Sequence, residues 1–143
     1  MNTYTIAVKS KDRASGTPAN FIIKFGQVLP NDKTVFKCRV SGVMINVGSM
    51  DGSRDPNMVN VNGGDAFSLA LVADFPFINY FSTSGNLQPI ALIDNSTHVQ
   101  PQEFIISNIN QQSINFKFTD TGNVDASAAI MTETFIILTF EAL

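Results

Sequence analysis

The chain has 143 residues, a net charge of −3 and an isoelectric point near 4.9. Its 44% hydrophobic content excludes a disordered chain, its single Cys excludes a disulfide scaffold, and its acidic balance argues against nucleic-acid binding driven by bulk charge. Charged residues make up only 15%, against about 25% in ordinary domains, and 14 Asn, 12 Ser and 11 Thr take their place. Val, Ile and Thr supply about a quarter of the chain and 12 Phe join them, a composition that suits pleated surfaces.

Residues 3–9 alternate, with Tyr4, Ile6 and Val8 on one face, and predict a half-buried strand. Residues 10–20 read as a loop and residues 21–25 as a second strand with Phe21, Ile23 and Phe25 facing one way. Pro30-Asn31-Asp32 is a turn, because Pro fixes φ and Asn or Asp tolerates the corner. Residues 35–47 form the longest periodic stretch. Phe36, Cys38 and Val40 share a face, the phase slips at Ser41-Gly42, and Val43, Ile45 and Val47 resume it. Such a slip predicts a β-bulge, which would bend the strand from one sheet toward another. Residues 48–57 read as a loop, 58–61 as a short strand and 62–65 as a hairpin turn.

A strand over 66–73 follows, with Phe67, Leu69 and Leu71 inward. Residues 75–81, interrupted by Pro76, predict an edge strand or loop. Another short strand includes Ile90 and Leu92 and closes at Asp94-Asn95-Ser96. Residues 103–110 and 113–119 look like a pair across Gln111-Gln112. Residues 134–140 are apolar on both faces and predict a central strand covered on both sides, with Ile137 in the core. The remaining core candidates are Phe116 and Phe118. The expected fold is a single all-β domain over 1–143: a β-sandwich, a single jelly roll of about eight antiparallel strands in two four-stranded sheets.

Few residues carry chemistry. His98 is the sole histidine and reads as an ordinary loop residue. Asp51, Arg54 and Asp55 stand in a polar loop that resembles half of a calcium loop but lacks its Gly and its bidentate Glu. Asn95-Ser96-Thr97 is a glycosylation sequon, which here marks an exposed turn. Cys38 sits in an alternating strand and reads as a small buried hydrophobe. Phe75, Phe77, Tyr80 and Phe81 could line a sugar platform, but core packing or a subunit contact fits better without Trp. No enzyme, catalytic group, metal or cofactor is expected. The N-terminus shows no basic-then-apolar leader, and no run approaches the length of a membrane span.

One segment carries a likeness. Ser10-Lys11-Asp12-Arg13 closes the first strand, Asn20-Phe21-Ile22-Ile23 follows a small polar loop, and Val40-Ser41-Gly42-Val43-Met44-Ile45 lies in the long strand. This pattern, which covers about a third of the chain, resembles the N-terminal stretch of single jelly-roll capsid proteins of large DNA viruses of eukaryotes and their virophages. It departs from that pattern after Ile45, where Asn46-Val47 stands in place of Pro-Asn. The resemblance implies a structural virion protein, a penton at the fivefold vertex or a minor capsid protein, assembled in the host cytoplasm or nucleus. The implied partners are copies of itself as a homopentamer, the major capsid protein and other minor capsid proteins, with no direct nucleic-acid contact.

Read from the residues alone, Ser10–Arg13 is an internal tie, an intersubunit contact or a solvated corner. In the first case Asp12 would accept from loop amides and Arg13 would reach a carboxylate or carbonyl. Candidate contact segments are 11–20, 48–57 and 75–81. The competing functional reading is a receptor- or carbohydrate-binding β-sandwich, such as a trimeric attachment head.

Overall fold

The computed structural model describes residues 2–47, 68–78, 87–94, 98–119 and 131–143. The expected loop at 48–57, strand at 58–61, turn at 62–65 and inward Phe67 lie outside these residues. So do Asp51, Arg54, Asp55, Tyr80, Phe81 and the sequon.

The described residues form ten strands: β1 (Thr3–Lys9), β2 (Ser15–Thr17), β3 (Asn20–Lys24), β4 (Val35–Val47), β5 (Ser68–Ala73), β6 (Gln88–Asp94), β7 (His98–Pro101), β8 (Phe104–Ser107), β9 (Ser113–Thr119) and β10 (Met131–Ala142). They make a four-stranded sheet ordered β1-β10-β4-β8 and a six-stranded sheet ordered β2-β3-β9-β5-β6-β7. Every pairing is antiparallel.

Setting aside the short marginal strands β2 and β7, eight strands remain. The first pairs with the last (β1 with β10), the second with the seventh (β3 with β9), the third with the sixth (β4 with β8) and the fourth with the fifth (β5 with β6). Nested antiparallel pairs of this kind are one long hairpin rolled into two facing sheets. That is the jelly roll. The sheets hold six and four strands rather than four each, because each of two segments read as irregular supplies a hairpin partner. Ser15–Thr17 folds back on β3, and His98–Pro101 folds back on β6.

The bulge falls where the phase slips. Ile137 pairs with Gly42 and Leu138 with Val40, so Ser41 is the extra residue. Its hydroxyl lies 3.2 Å from the Ile137 carbonyl and 2.9 Å from the Thr139 hydroxyl across the kink. The slip keeps Phe36, Cys38, Val40, Val43 and Ile45 all buried. It does not carry β4 into the second sheet, since β4 pairs with β10 on both sides of the bulge, from Phe36 to Val47.

Two expectations are corrected. Ile137 is 40% exposed, whereas Ile136 and Leu138 on either side are fully buried. β10 is central in its sheet, but only one face is covered by the other sheet, so its alternate residues point outward. Residues 103–110 and 113–119 do not pair with each other. β8 joins β4 in one sheet and β9 joins β3 and β5 in the other.

The core lies between the sheets. Phe75 sits at its centre, with ring centroids 5.4 Å from Phe104 and 6.5 Å from Phe140 of the four-stranded sheet, and 5.7 Å from Phe116 of the six-stranded sheet. Phe116 in turn stacks on Phe21 at 5.4 Å.

Candidate functional site

The Ser10–Arg13 corner sits at one end of the sandwich, beside the points where β4 stops and β10 begins. β1 ends here because Ser10–Asp12 forms a single 3-10 turn. In the β1–β10 register Ser10 would follow Lys9↔Phe135 and face Thr134. The turn swings the Ser10 carbonyl away from β10, where it takes the Arg13 amide at 3.3 Å and the Arg13 Nη1 at 2.8 Å. The Ser10 hydroxyl fills the vacated place and accepts the buried Thr134 amide at 2.9 Å. Ser10 is fully buried.

Arg13 Nε donates to the Gly16 carbonyl at 2.6 Å, and the Ala14 amide donates to Ile22 at 2.7 Å. Gly16 holds φ at +101°, and a Cβ there would collide with the Asn20 carbonyl. The corner is thus an internal clasp joining β1, β10 and the β2–β3 hairpin. Charge-assisted bonds from a guanidinium to two carbonyls are among the stronger hydrogen bonds. Asp12 is exposed, and among the described residues no donor reaches it, so the acceptor role expected of it is filled by Ser10. Lys11 is exposed beside it.

Phe75 and Phe77 lie away from this corner. Phe75 is buried, and Phe77 is partly buried with its ring 5.4 Å from Phe104. The segment 75–78 runs along β8: Phe77 bridges Ile106, the Ile78 amide donates to Ile105 at 2.8 Å, and the Ser107 amide donates to Pro76 at 3.0 Å. Phe75 and Phe77 are therefore packing residues that close a sheet edge. The structure does not bring them together with Ser10–Arg13.

Sequence reasoning missed the clamp at the opposite end. Asn108 Nδ2 donates to the carbonyls of Pro30 at 2.9 Å and Lys33 at 2.6 Å, while its Oδ1 accepts the Asn110 amide at 2.8 Å. Asn110 Oδ1 accepts the Leu29 amide at 2.9 Å, and its Nδ2 donates to the Leu29 carbonyl and to Asn31 Oδ1. Two Asn flanking the buried Ile109 were the available signal. Apolar bracketed by amide side chains suits a segment that must cross between sheets with its backbone satisfied.

The outer face of the four-stranded sheet is divided. Near one end a shallow groove is lined by Thr3, Lys37, Arg39, Glu103, Thr139 and Glu141, with Lys37 Nζ 3.5 Å from Glu141 Oε2. Toward the other end Met44 and Ile137 are exposed, and Lys9 Nζ lies 5.3 Å from the Phe135 ring centroid. Cys38 points inward, and burial pushes its thiol pKa far up, with a smaller opposing effect from a backbone hydrogen bond. His98 begins β7 rather than lying in a loop. Among the described residues no three His, Cys, Asp or Glu side chains gather as a metal site, and no helix is long and apolar enough to cross a membrane.

No protein-family model matches the chain, and no curated protein matches it either.

Proposed function

We propose that this chain is a structural protein of an icosahedral DNA-virus particle, the penton block at the fivefold vertex, and not an enzyme. A jelly roll alone hosts many functions. What carries the reading is the coincidence of that topology with the Ser-Lys-Asp-Arg corner, which the fold uses as a clasp between its first and last principal strands. A clasp of this kind secures the place where the rolled hairpin would otherwise open. The low charge suits surfaces covered by neighbouring subunits.

In a fivefold ring each subunit offers different surfaces to its two neighbours, a heterologous contact closed by rotation. The major capsid protein and minor capsid proteins would surround that ring. Sedimentation of the purified protein over a concentration series, with location of the chain in a reconstruction of the intact particle, tests the reading. Density for the chain at the vertices is the expected result. A stable trimer in solution with no density in the shell would overturn it in favour of an attachment head.

A further inference from the structure

Four sheet edges border the sandwich, and among the described residues three carry features that discourage strand addition. β2 is three residues long with Gly16 at positive φ. β7 is four residues long and ends in Pro101. β8 is covered by residues 75–78. Short strands, Pro and covering segments are the usual protections of an edge. β1 has none of them. It runs seven residues in unbroken register with β10, without Pro, Gly or bulge.

The direction of its free groups follows from one bond. The Ala142 amide donates to Asn2, so even-numbered residues of this strand bond to β10. The alternation of an antiparallel ladder then turns the amides and carbonyls of Thr3, Thr5, Ala7 and Lys9 outward. No described residue pairs with them.

We propose that β1 is a strand-addition edge whose occupant is β1 of a second copy, paired antiparallel about a twofold axis at Ile6. This register sets Thr3 against the partner's Lys9 and Thr5 against the partner's Ala7, so every outward amide and carbonyl finds its complement. It also sets Tyr4 opposite Val8 and Ile6 opposite itself on the inner face, which are apolar or aromatic pairs of the favourable kind. Lys9 is the only charge in the strand, and each copy places it opposite Thr3 rather than opposite another Lys. The Lys9 ammonium is also turned onto Phe135 of its own chain, which removes the usual edge-guarding cation. One strand pair buries less than the roughly 1,200–2,000 Å² of a standard stable interface. The dimer therefore forms with concentration and is distinct from the heterologous contacts of a ring.

Hydrogen exchange of the wild-type protein, read residue by residue at low and high concentration, tests this without any substitution. Amides of Tyr4, Ile6 and Val8 should be protected at both concentrations. Those of Thr3, Thr5, Ala7 and Lys9 should exchange freely when dilute and become protected when concentrated. A Thr5→Pro variant removes one outward amide and leaves the β10 ladder intact. It should keep the parent's melting temperature within a few degrees and lose the concentration-dependent dimer in sedimentation, while Met44→Glu keeps it. Three results overturn the proposal: odd-numbered amides protected when dilute, odd-numbered amides unprotected in the associated state, or a wild-type chain that sediments as a monomer throughout.

Discussion

Ser10 and Thr134 show two opposite fates of a buried hydroxyl. The Ser10 hydroxyl satisfies a buried amide, whereas the Thr134 hydroxyl is buried without a hydrogen-bond partner among the described residues. Removing the first leaves the Thr134 amide orphaned, at a cost of about 1–3 kcal/mol. Ser10→Ala should lower the melting temperature by several degrees, at about 2–4 °C per kcal/mol for a chain of this size. Thr134→Val removes an unsatisfied group and should leave the melting temperature unchanged or raise it; paired thermal melts decide both. Cys38 gives a pH dependence of definite sign. Burial raises its folded pKa, so the native thiol keeps its proton where the unfolded thiol, near about 8.5, loses it. The unfolded state then binds fewer protons, and this contribution to stability is full below about pH 8.5 and shrinks as pH rises beyond it. Cys38→Ala should flatten that alkaline decline in urea titrations between pH 7 and 10, and native Cys38 should resist a thiol reagent that labels the unfolded chain at once.

At the scale of elements, legibility depended on whether one side-chain period governed the segment. β1 and β4 have the bounds that alternation gave them, and the bulge falls at the slip, because burial of one face decides both. Deleting Ser41 would bring Phe36, Cys38, Val40, Val43 and Ile45 into strict alternation, so the strand straightens without expelling a core residue. Deleting Met44 instead forces Val43 or Ile45 outward, a loss comparable to truncating a buried aliphatic, about 2–5 kcal/mol. Thermal melts should place the Ser41 deletion within a few degrees of the parent and the Met44 deletion far below it. The misread pairing of 103–110 with 113–119 has a physical cause too. Gln111-Gln112 looks like a hairpin turn, but Asn108 and Asn110 tie the segment to residues 29–33, a loop far off in sequence that periodicity cannot sense. Ile137 misled for the opposite reason: an apolar run hides which face is covered. Of the candidate contacts, Arg13 was expected to reach a carboxylate or carbonyl and bonds two carbonyls close in sequence, whereas the part Ser10 plays in place of Asp12 was not legible, because it depends on the Thr134 amide 124 residues away.

The whole molecule is a set of nested closures, and the nesting dictates how it forms. Ala73 meets Gln88, Cys38 meets Phe104, Lys24 meets Ser113 and Lys9 meets Phe135, so each pair encloses the one before it. Loop-closure entropy rises by about 0.6 kcal/mol per doubling of the enclosed length. The β5–β6 pair is therefore the least costly to form from the open chain, and the β1–β10 pair is the most costly. Each inner pair shortens the effective loop of the next, so closure proceeds outward, and the Ser10 clasp can form only when β1 reaches β10. Non-local pairing of this extent places folding in the slow range of milliseconds to seconds or beyond. The order is testable with conservative truncations at fully or nearly fully buried positions. Ile93→Val in β6 should slow folding and leave unfolding nearly unchanged, because its contacts exist at the transition state. Val8→Ala in β1 should speed unfolding and leave folding nearly unchanged, because its contacts form afterwards. Stopped-flow folding and unfolding arms for the two variants, compared at equal denaturant, separate the cases. The reverse assignment, with Val8→Ala slowing folding, would mean that the outermost pair closes first and that the roll is not wound from its inner hairpin.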